Sequence, residues 1–227
     1  MCKILSENKF WGVFLNKMEQ GIKSGTTTIG LICKDGVILA AERKATMGYM
    51  IASKDDLKIT EIAPHIGITQ AGMVGDLQAL GRYLKAEVNL FELKNKKRIT
   101  VKSTASLLAN ILYSGRWSFF PYQIQIILAG YDESGPNLFV LHPDGSKLGE
   151  KRFFSTGSGS PFAFGVLETE YKDGLSVEEG KKVAIRAIKA AVARDIASGG
   201  KGMDIAVINE EGFRLLKDSE IEKLTEN

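Results

Sequence analysis

Cysteine and histidine are scarce in this chain, with two of each among 227 residues. Cys2 and Cys33 stand alone, without a CxxC spacing or a nearby histidine. That excludes a disulfide framework and a structural zinc site, and it points to a reducing, cytoplasmic compartment. His65 and His142 each adjoin a proline, Pro64 and Pro143, in turn-like sequence. They read as solvated loop histidines rather than as metal ligands or as the base of a serine–histidine pair. No metal and no cofactor is expected. Long apolar runs are missing as well. The apolar residues of segment 1–25 are broken by Lys3, Glu7, Lys9, Lys17, Glu19 and Lys23, leaving nothing near the ~18 residues a membrane span needs. The uninterrupted apolar stretch of a secretory signal is also absent, so no membrane partner is expected. Nor is there a block of one charge: 30 basic and 27 acidic residues are spread along the chain for a net charge of +3. Nucleic acid, which needs a concentrated basic face, is therefore not an expected partner.

What is present suits one soluble domain. The chain is 44% hydrophobic and 25% charged and has no low-complexity tract, enough for a sizeable core. Residues 26–227 read as that domain. Residues 1–25 read as a pro-segment or an amphipathic docking arm, with a frayed terminus as the plain alternative.

Along the domain the hydrophobic period changes four times. Residues 26–33 alternate as a strand, with Thr27, Ile29, Leu31 and Cys33 on one face and Thr26, Thr28 and Gly30 on the other. The turn signal Lys34-Asp35-Gly36 leads to a second strand at 37–42, and shorter strands are predicted at 49–52, 57–62 and 66–71. Helical spacing then takes over. Leu77, Leu80, Leu84 and Phe91, widened by Tyr83 and Val88, predict a helix from Val74, and a second helix is predicted at 101–117 with Ser103 or Thr104 near its start. Strands resume at 122–130, 138–142 and 153–156. Two further helices are expected at 160–171 and 176–197, the latter announced by Ser176 with Glu178 and Glu179 behind it and ended by Gly199-Gly200. Strands at 203–209 and 212–216 close the chain. Runs of strands and paired helices, rather than strict βα alternation, predict an α+β fold: a four-layer αββα sandwich of two antiparallel sheets between helical layers. Gly157-Ser158-Gly159-Ser160 resembles a phosphate cradle but lacks the lysine of a P-loop.

With no credible catalytic histidine, a nucleophile here needs another base. The stretch Gly25-Thr26-Thr27-Thr28-Ile29-Gly30 suggests one. Cutting the bond between Gly25 and Thr26 frees an α-amine whose unperturbed pKa of about 7.7–8.0 suits a general base, beside a hydroxyl that can attack once deprotonated. Glycine before the bond leaves the carbonyl sterically open. Threonines opening a strand are also ordinary β formers. Lys58, between Leu57 and Ile59, points away from the core if those two face it, and an ammonium near Thr26 favours its alkoxide. Glu42, ending the second strand, is placed to pair with that lysine. A solvated surface lysine and a separate surface carboxylate are the alternatives that the residues alone leave open.

Five stretches together resemble the β subunit of the proteasome core particle, of the archaeal type. They are the Gly25–Gly30 stretch, Ala40-Ala41-Glu42-Arg43-Lys44-Ala45-Thr46-Met47-Gly48, Ala71-Gly72-Met73-Val74-Gly75-Asp76, Thr156-Gly157-Ser158-Gly159-Ser160-Pro161-Phe162-Ala163, and Arg194-Asp195-Ile196-Ala197-Ser198-Gly199-Gly200. That family belongs to the N-terminal nucleophile hydrolases, threonine peptidases with an αββα sandwich. The resemblance implies Thr26 as nucleophile and, through its amine, as base, and Lys58 as the active-site lysine. It implies Gly72 as the oxyanion-stabilising backbone N–H, and Ser158, Asp195 and Ser198 as the groups bonding the amine and its water. Read without it, Ser158 is equally a helix cap and Ser198 a turn residue. The resemblance further implies a substrate pocket with Ala45, Gln70 and Val74 in its wall, and Thr46 as clamp on the substrate backbone.

Its partners would be proteasome α subunits, other β subunits in stacked heptameric rings, an unfolded polypeptide substrate and, indirectly, a regulatory ATPase. Two departures stand out. Glu42 occupies a position that is usually aspartate, and Gln70 stands where archaeal relatives commonly carry an apolar residue. The first leaves a weakly active structural β subunit in a mixed ring as the rival expectation. The second suggests a pocket that takes apolar side chains and tolerates polar ones. A bacterial ATP-dependent relative is disfavoured by the pro-segment and by motif detail.

Overall fold

The computed structural model describes residues 25–119 and 121–225. Apart from Gly25, the expected pro-segment lies outside the described residues. The first strands form because apolar and small residues alternate between two buried faces. β1 (Thr28–Cys33) and β2 (Gly36–Glu42) pair antiparallel, Thr28 against Ala41 and Cys33 against Gly36. Val37, Leu39 and Ala41 of β2 face one side while Ile38 and Ala40 face the other, and all five are fully buried. A strand covered on both faces reads as a continuous apolar run.

Two five-stranded sheets result. One has the order β10-β1-β2-β11-β12, with β10 at Phe153–Thr156, β11 at Met203–Asn209 and β12 at Gly212–Leu215. The other runs β5-β6-β7-β8-β9, with β5 at Ile59–Ala63, β6 at Ile66–Gly72, β7 at Ile124–Asp132, β8 at Gly135–Leu141 and β9 at Lys147–Glu150. Every neighbouring pair is antiparallel. A separate ribbon pairs β3 (Ala45–Met47) with β4 (Met50–Ser53).

Helices cover the outer faces. α1 (Val74–Asn95) and α2 (Val101–Gly115) bury Leu84, Leu108 and Leu112 against Ile66, Ile68 and Ile126. α3 (Ser160–Glu170) and α4 (Val177–Arg194) bury Leu167, Ile185 and Ile188 against Ile29, Leu31 and Ile205. Between the sheets lie Val37, Leu39, Ile127, Ala129, Leu138 and Ile208. The four-layer αββα sandwich expected from the order of elements is the observed fold. Ser176 caps α4 as expected, its hydroxyl accepting Glu179 N while the Glu179 carboxylate takes Ser176 N.

Several expectations need correction. The short strands β3 and β9 and the helix α5 (Asp218–Thr225) were not anticipated. Leu57 does not face the core: it is 57% exposed, and it and Lys58 precede β5 rather than belong to it. Phe91, expected in the apolar stripe of α1, and Tyr83, expected to widen it, both sit on the exposed side of the helix, whereas Val88 is buried. Ser103 and Thr104 lie in the first turn of α2 as expected, and the residue that caps it is Thr100, whose hydroxyl accepts Ser103 N. His65 is buried, its Nε2 against Ile99 O at 2.8 Å, because the turn it occupies is folded under the α1–α2 connection. His142 is half-buried. No helix among the described residues is long and apolar enough to cross a membrane.

Candidate active site

One end of the sandwich collects the start of β1, the end of β2, the residue before β5, the end of β6 and the loops after β10 and α4. Antiparallel pairing puts these termini together: Thr28 stands opposite both Thr156 and Ala41, and Met203 opposite Glu42. Thr26, Lys58, Gly72, Ala45, Gln70 and Val74 all line one pocket of about 280 Å³ there.

Thr26 is 2% exposed, and its Oγ1 donates to Gly25 O at 2.7 Å. The peptide bond ahead of it is intact, so Thr26 N is an amide, which donates to Ser158 Oγ at 3.2 Å. Ser158 Oγ lies 2.6 Å from Asp195 Oδ2, and so does Ser198 Oγ. A carboxylate only accepts, so both hydroxyls spend their protons on Asp195. Thr27 Oγ1, 2.6 Å from Ser198 Oγ, must therefore be the donor in that contact. Ser158 thus touches Thr26 directly. Asp195 reaches it through Ser158, and Ser198 is bonded to Thr27 rather than to Thr26. Asp195 caps the C-terminus of α4, and its turn with Ser198, closed by Ser198 N to Asp195 O at 3.2 Å, brings the two side chains together.

Glu42 and Lys58 form the other half of the site. Glu42 is fully buried and its four acceptor contacts are divided evenly. Oε1 takes Lys58 Nζ at 2.6 Å and Thr27 N at 3.3 Å, while Oε2 takes Lys44 N at 2.7 Å and Gly199 N at 2.8 Å. Lys58, 5% exposed, also donates to Glu42 O at 3.1 Å and to Lys44 O at 2.5 Å. An ammonium has three N–H bonds and each of these has an acceptor. What Lys58 offers Thr26 is therefore positive charge rather than a free donor.

Gly72 has φ +129°, and a Cβ there would lie 2.2 Å from Gln123 O, so no other residue ends β6 in this way. Gly25 is similarly confined, for a Cβ there would lie 1.7 Å from Ala197 Cβ. Its N–H donates to Thr46 Oγ1 at 3.0 Å. Gln70 donates through Nε2 to Thr60 Oγ1 at 3.2 Å, which leaves a polar wall in the pocket. Asp56, Leu57, Thr60, Leu77, Gln78 and Arg82 also line it and were not anticipated. Thr27, Lys44 and Gly199 escaped the sequence reading too. Lys44 and Gly199 serve through backbone groups, which no residue type advertises. The adjacency of Thr27 to Thr26 was the one available signal.

The chain is similar to known proteins along most of its length. A family model described as "Proteasome subunit" matches residues 22–208. A proteasome subunit beta of Methanothermobacter thermautotrophicus (strain Delta H) is 50% identical over 203 residues, covering 89% of this chain and 95% of that protein. One from Methanocaldococcus vulcanius is 51% identical over 204 residues, 89% and 90% respectively. One from Archaeoglobus profundus is 43% identical over 210 residues, 92% and 96%. With the αββα sandwich, the motif-bearing loops gathered at one end and this similarity along nearly its whole length, the chain belongs to the proteasome subunit family, among its β subunits of archaeal type.

Proposed function

We propose that this hydrolase-family chain is a threonine endopeptidase, made as a precursor and activated when it cuts its own Gly25–Thr26 bond. The observation that carries the reading is the placement of Thr26 Oγ1, 2.7 Å from the carbonyl oxygen of the residue before it, in the pocket lined by the Glu42-paired Lys58. In the self-cleavage, Oγ attacks the Gly25 carbonyl carbon and the C–N bond breaks as the hydroxyl proton passes to nitrogen. The resulting ester is hydrolysed by water, leaving a Gly25 carboxylate and a free Thr26 amine.

That amine is then the base for substrate. It takes the Oγ proton as Oγ attacks the scissile carbonyl, and it returns the proton to the departing amine; water clears the acyl-enzyme. Each group has one task. Lys58, with all its protons engaged, lowers the amine's pKa and favours the alkoxide through charge. Gly72 N–H stabilises the oxyanion. Ser158, oriented by Asp195, holds the amine, and Ser198 with Thr27 fixes that chain from behind. Thr46, which holds Gly25 N in the uncut chain, is the clamp that takes the backbone of an incoming substrate. The pocket mixes Ala45, Leu57, Val74 and Leu77 with Gln70, Thr60 and Gln78, which suits apolar side chains with tolerance for polar ones.

The working particle is a stack of β rings flanked by rings of α subunits in the cytoplasm, fed unfolded chains by an ATPase. A weakly active structural role would follow if Glu42 misplaced Lys58, and their 2.6 Å pairing is the observation against it. Co-assembly with α subunits, followed by intact-mass measurement and peptide hydrolysis on the same sample, decides between the two. A β chain beginning at Thr26 that hydrolyses peptide, with both properties lost in Thr26→Ala, is expected. A chain retaining residues 1–25 without hydrolysis would leave only the structural role.

A further inference from the structure

Arg43 stands between the two residues that hold Lys58, yet it is not part of the pocket. Its guanidinium, 14% exposed, is ringed by carboxylates. Nε donates to Asp204 Oδ1 at 2.8 Å; Nη1 and Nη2 form a fork on Asp218 at 3.1 and 2.6 Å; Asp55 lies 3.7 Å from Nη1. Nη1 also reaches Lys201 O at 3.4 Å. Asp204, on β11, is 2% exposed and its Oδ2 has no partner. Asp218 opens α5, a short helix that also buries Ile221, half-buries Leu224 and pairs Glu220 with Arg214 of β12 at 2.8 Å. Arg43 thus ties Asp204 of the core strand β11 and Asp218 of α5 to the segment carrying Glu42 and Lys44, alongside the backbone pairing of β11 with β2 that sets Met203 opposite Glu42.

We propose that Arg43 is a positioning residue for Lys58, transmitting the anchorage of α5 and β11 to the reaction centre. The inference rests on the threonine-peptidase reading given above. Each of the three acceptors of Lys58 belongs to Glu42 or Lys44, the residues on either side of Arg43. The backbone of Arg43 is itself pinned, its N–H to Gly199 O at 3.0 Å and its carbonyl by Asp56 N at 2.9 Å. A shift at position 43 therefore moves all three acceptors, and with them the ammonium. The guanidinium is the group suited to the task, because its rigid fork spans Asp204 and Asp218 together, whereas one ammonium cannot bond both in the same way. Burial pushes the Asp204 carboxyl up, with Arg43 opposing that rise. Without its cation, Asp204 is a buried acid with neither oxygen paired, and the strand ends must move to hydrate it.

The test uses particles assembled with α subunits, a fluorogenic peptide, and the pH profile of kcat/KM for Arg43→Lys and Asp218→Asn. If Lys58 is displaced, the Thr26 amine loses a nearby positive charge, its pKa rises, and the acid limb of the profile moves to higher pH in both variants. Direct electrostatics predicts something else. Arg43→Lys keeps the charge and would leave the limb in place; Asp218→Asn removes an anion and would move it to lower pH. The expected result is an upward shift in both, with kcat falling on the order of 10-fold and KM unchanged. Asp218 is 65% exposed, so its variant keeps the fold intact if Arg43→Lys does not. Wild-type hydrolysis with an unmoved or lowered limb in the variants overturns the positioning role. Wild-type particles without hydrolysis overturn the peptidase reading beneath it.

Discussion

Glu42 Oε1 meets Lys58 Nζ at 2.6 Å while Oε2 of the same carboxylate closes on the amides of Lys44 and Gly199 at 2.7 and 2.8 Å. The longer side chain is thus fitted to two sets of donors at once. Shortening it by one methylene withdraws the carboxylate by about an ångström, a scale at which catalytic sites lose up to ~10²-fold in rate. Glu42→Asp is expected to lower peptide turnover 10- to 100-fold, as it must give up either Lys58 or the amide pair. Steady-state kinetics on assembled particles reads the change. An aspartate variant as fast as wild type would show that the glutamate is a neutral replacement.

Asp195 accepts from Ser158 and Ser198 through one oxygen, Oδ2, and from Ala197 N through the other at 3.3 Å. In Asp195→Asn the amide oxygen still serves both serines, but the NH2 group faces Ala197 N–H and the charge that strengthens both hydroxyl bonds is gone. We expect kcat to fall about 10-fold, in the range of a weakened charge-assisted bond, with the melting temperature nearly unchanged. Paired kinetics and thermal unfolding separate these effects. A large fall in melting temperature would mean that Asp195 chiefly holds the loop.

Gln70 gives the pocket wall its polarity through the Nε2 bond to Thr60. Gln70→Val removes the amide and leaves Thr60 Oγ1 without that donor, so polar side chains lose a partner while apolar ones gain surface. A peptide-library profile is expected to narrow toward large apolar residues at the position before the cut. The tolerance assigned to Gln70 fails if the wild-type profile is already strictly apolar.

Outside the site, Asp132 links two layers. It accepts Val101 N at 2.8 Å and Ser134 N and Oγ at 2.9 and 2.6 Å. Burial pushes its carboxyl up, but these donors prevail and hold it below the ordinary aspartate range. A depressed carboxyl in the folded state contributes stability above its unfolded pKa of about 3.9 and loses it as pH falls through the lower folded value. The melting temperature of Asp132→Asn should therefore lie below wild type at neutral pH and converge with it in acid. Parallel curves across that range would mean that the bonds do not depend on the charge.

The layer order could be read from the sequence because it is set by composition over many residues. β2 is apolar at every internal position since both its faces are buried, and α4 declares its start through Ser176 and Glu179. Elements decided by few contacts could not be read. β3 has three residues and β9 four, both largely unburied, and α5 buries Ile221 alone. Position 58 shows the difference in another way. Alternation turns Lys58 toward the site only if Leu57 faces the core, and Leu57 is exposed; Lys58 faces the pocket because Glu42 and two carbonyls draw it there. Thr26, Glu42 and Ser158 were visible as residue types in motifs. The amides of Lys44 and Gly199, which fix Glu42, belong to the backbone and leave no mark in the sequence.

The 1.7 Å approach between a hypothetical Cβ at Gly25 and the methyl of Ala197 has a consequence for how freely the upstream sequence can drift. The loop that carries Ser198 acts as a ruler at this junction. It measures one residue, admits a hydrogen atom and rejects a methyl group, and its criterion is volume rather than charge or polarity. Mutations before the junction answer to other demands, but at residue 25 the surrounding wall leaves evolution a single letter.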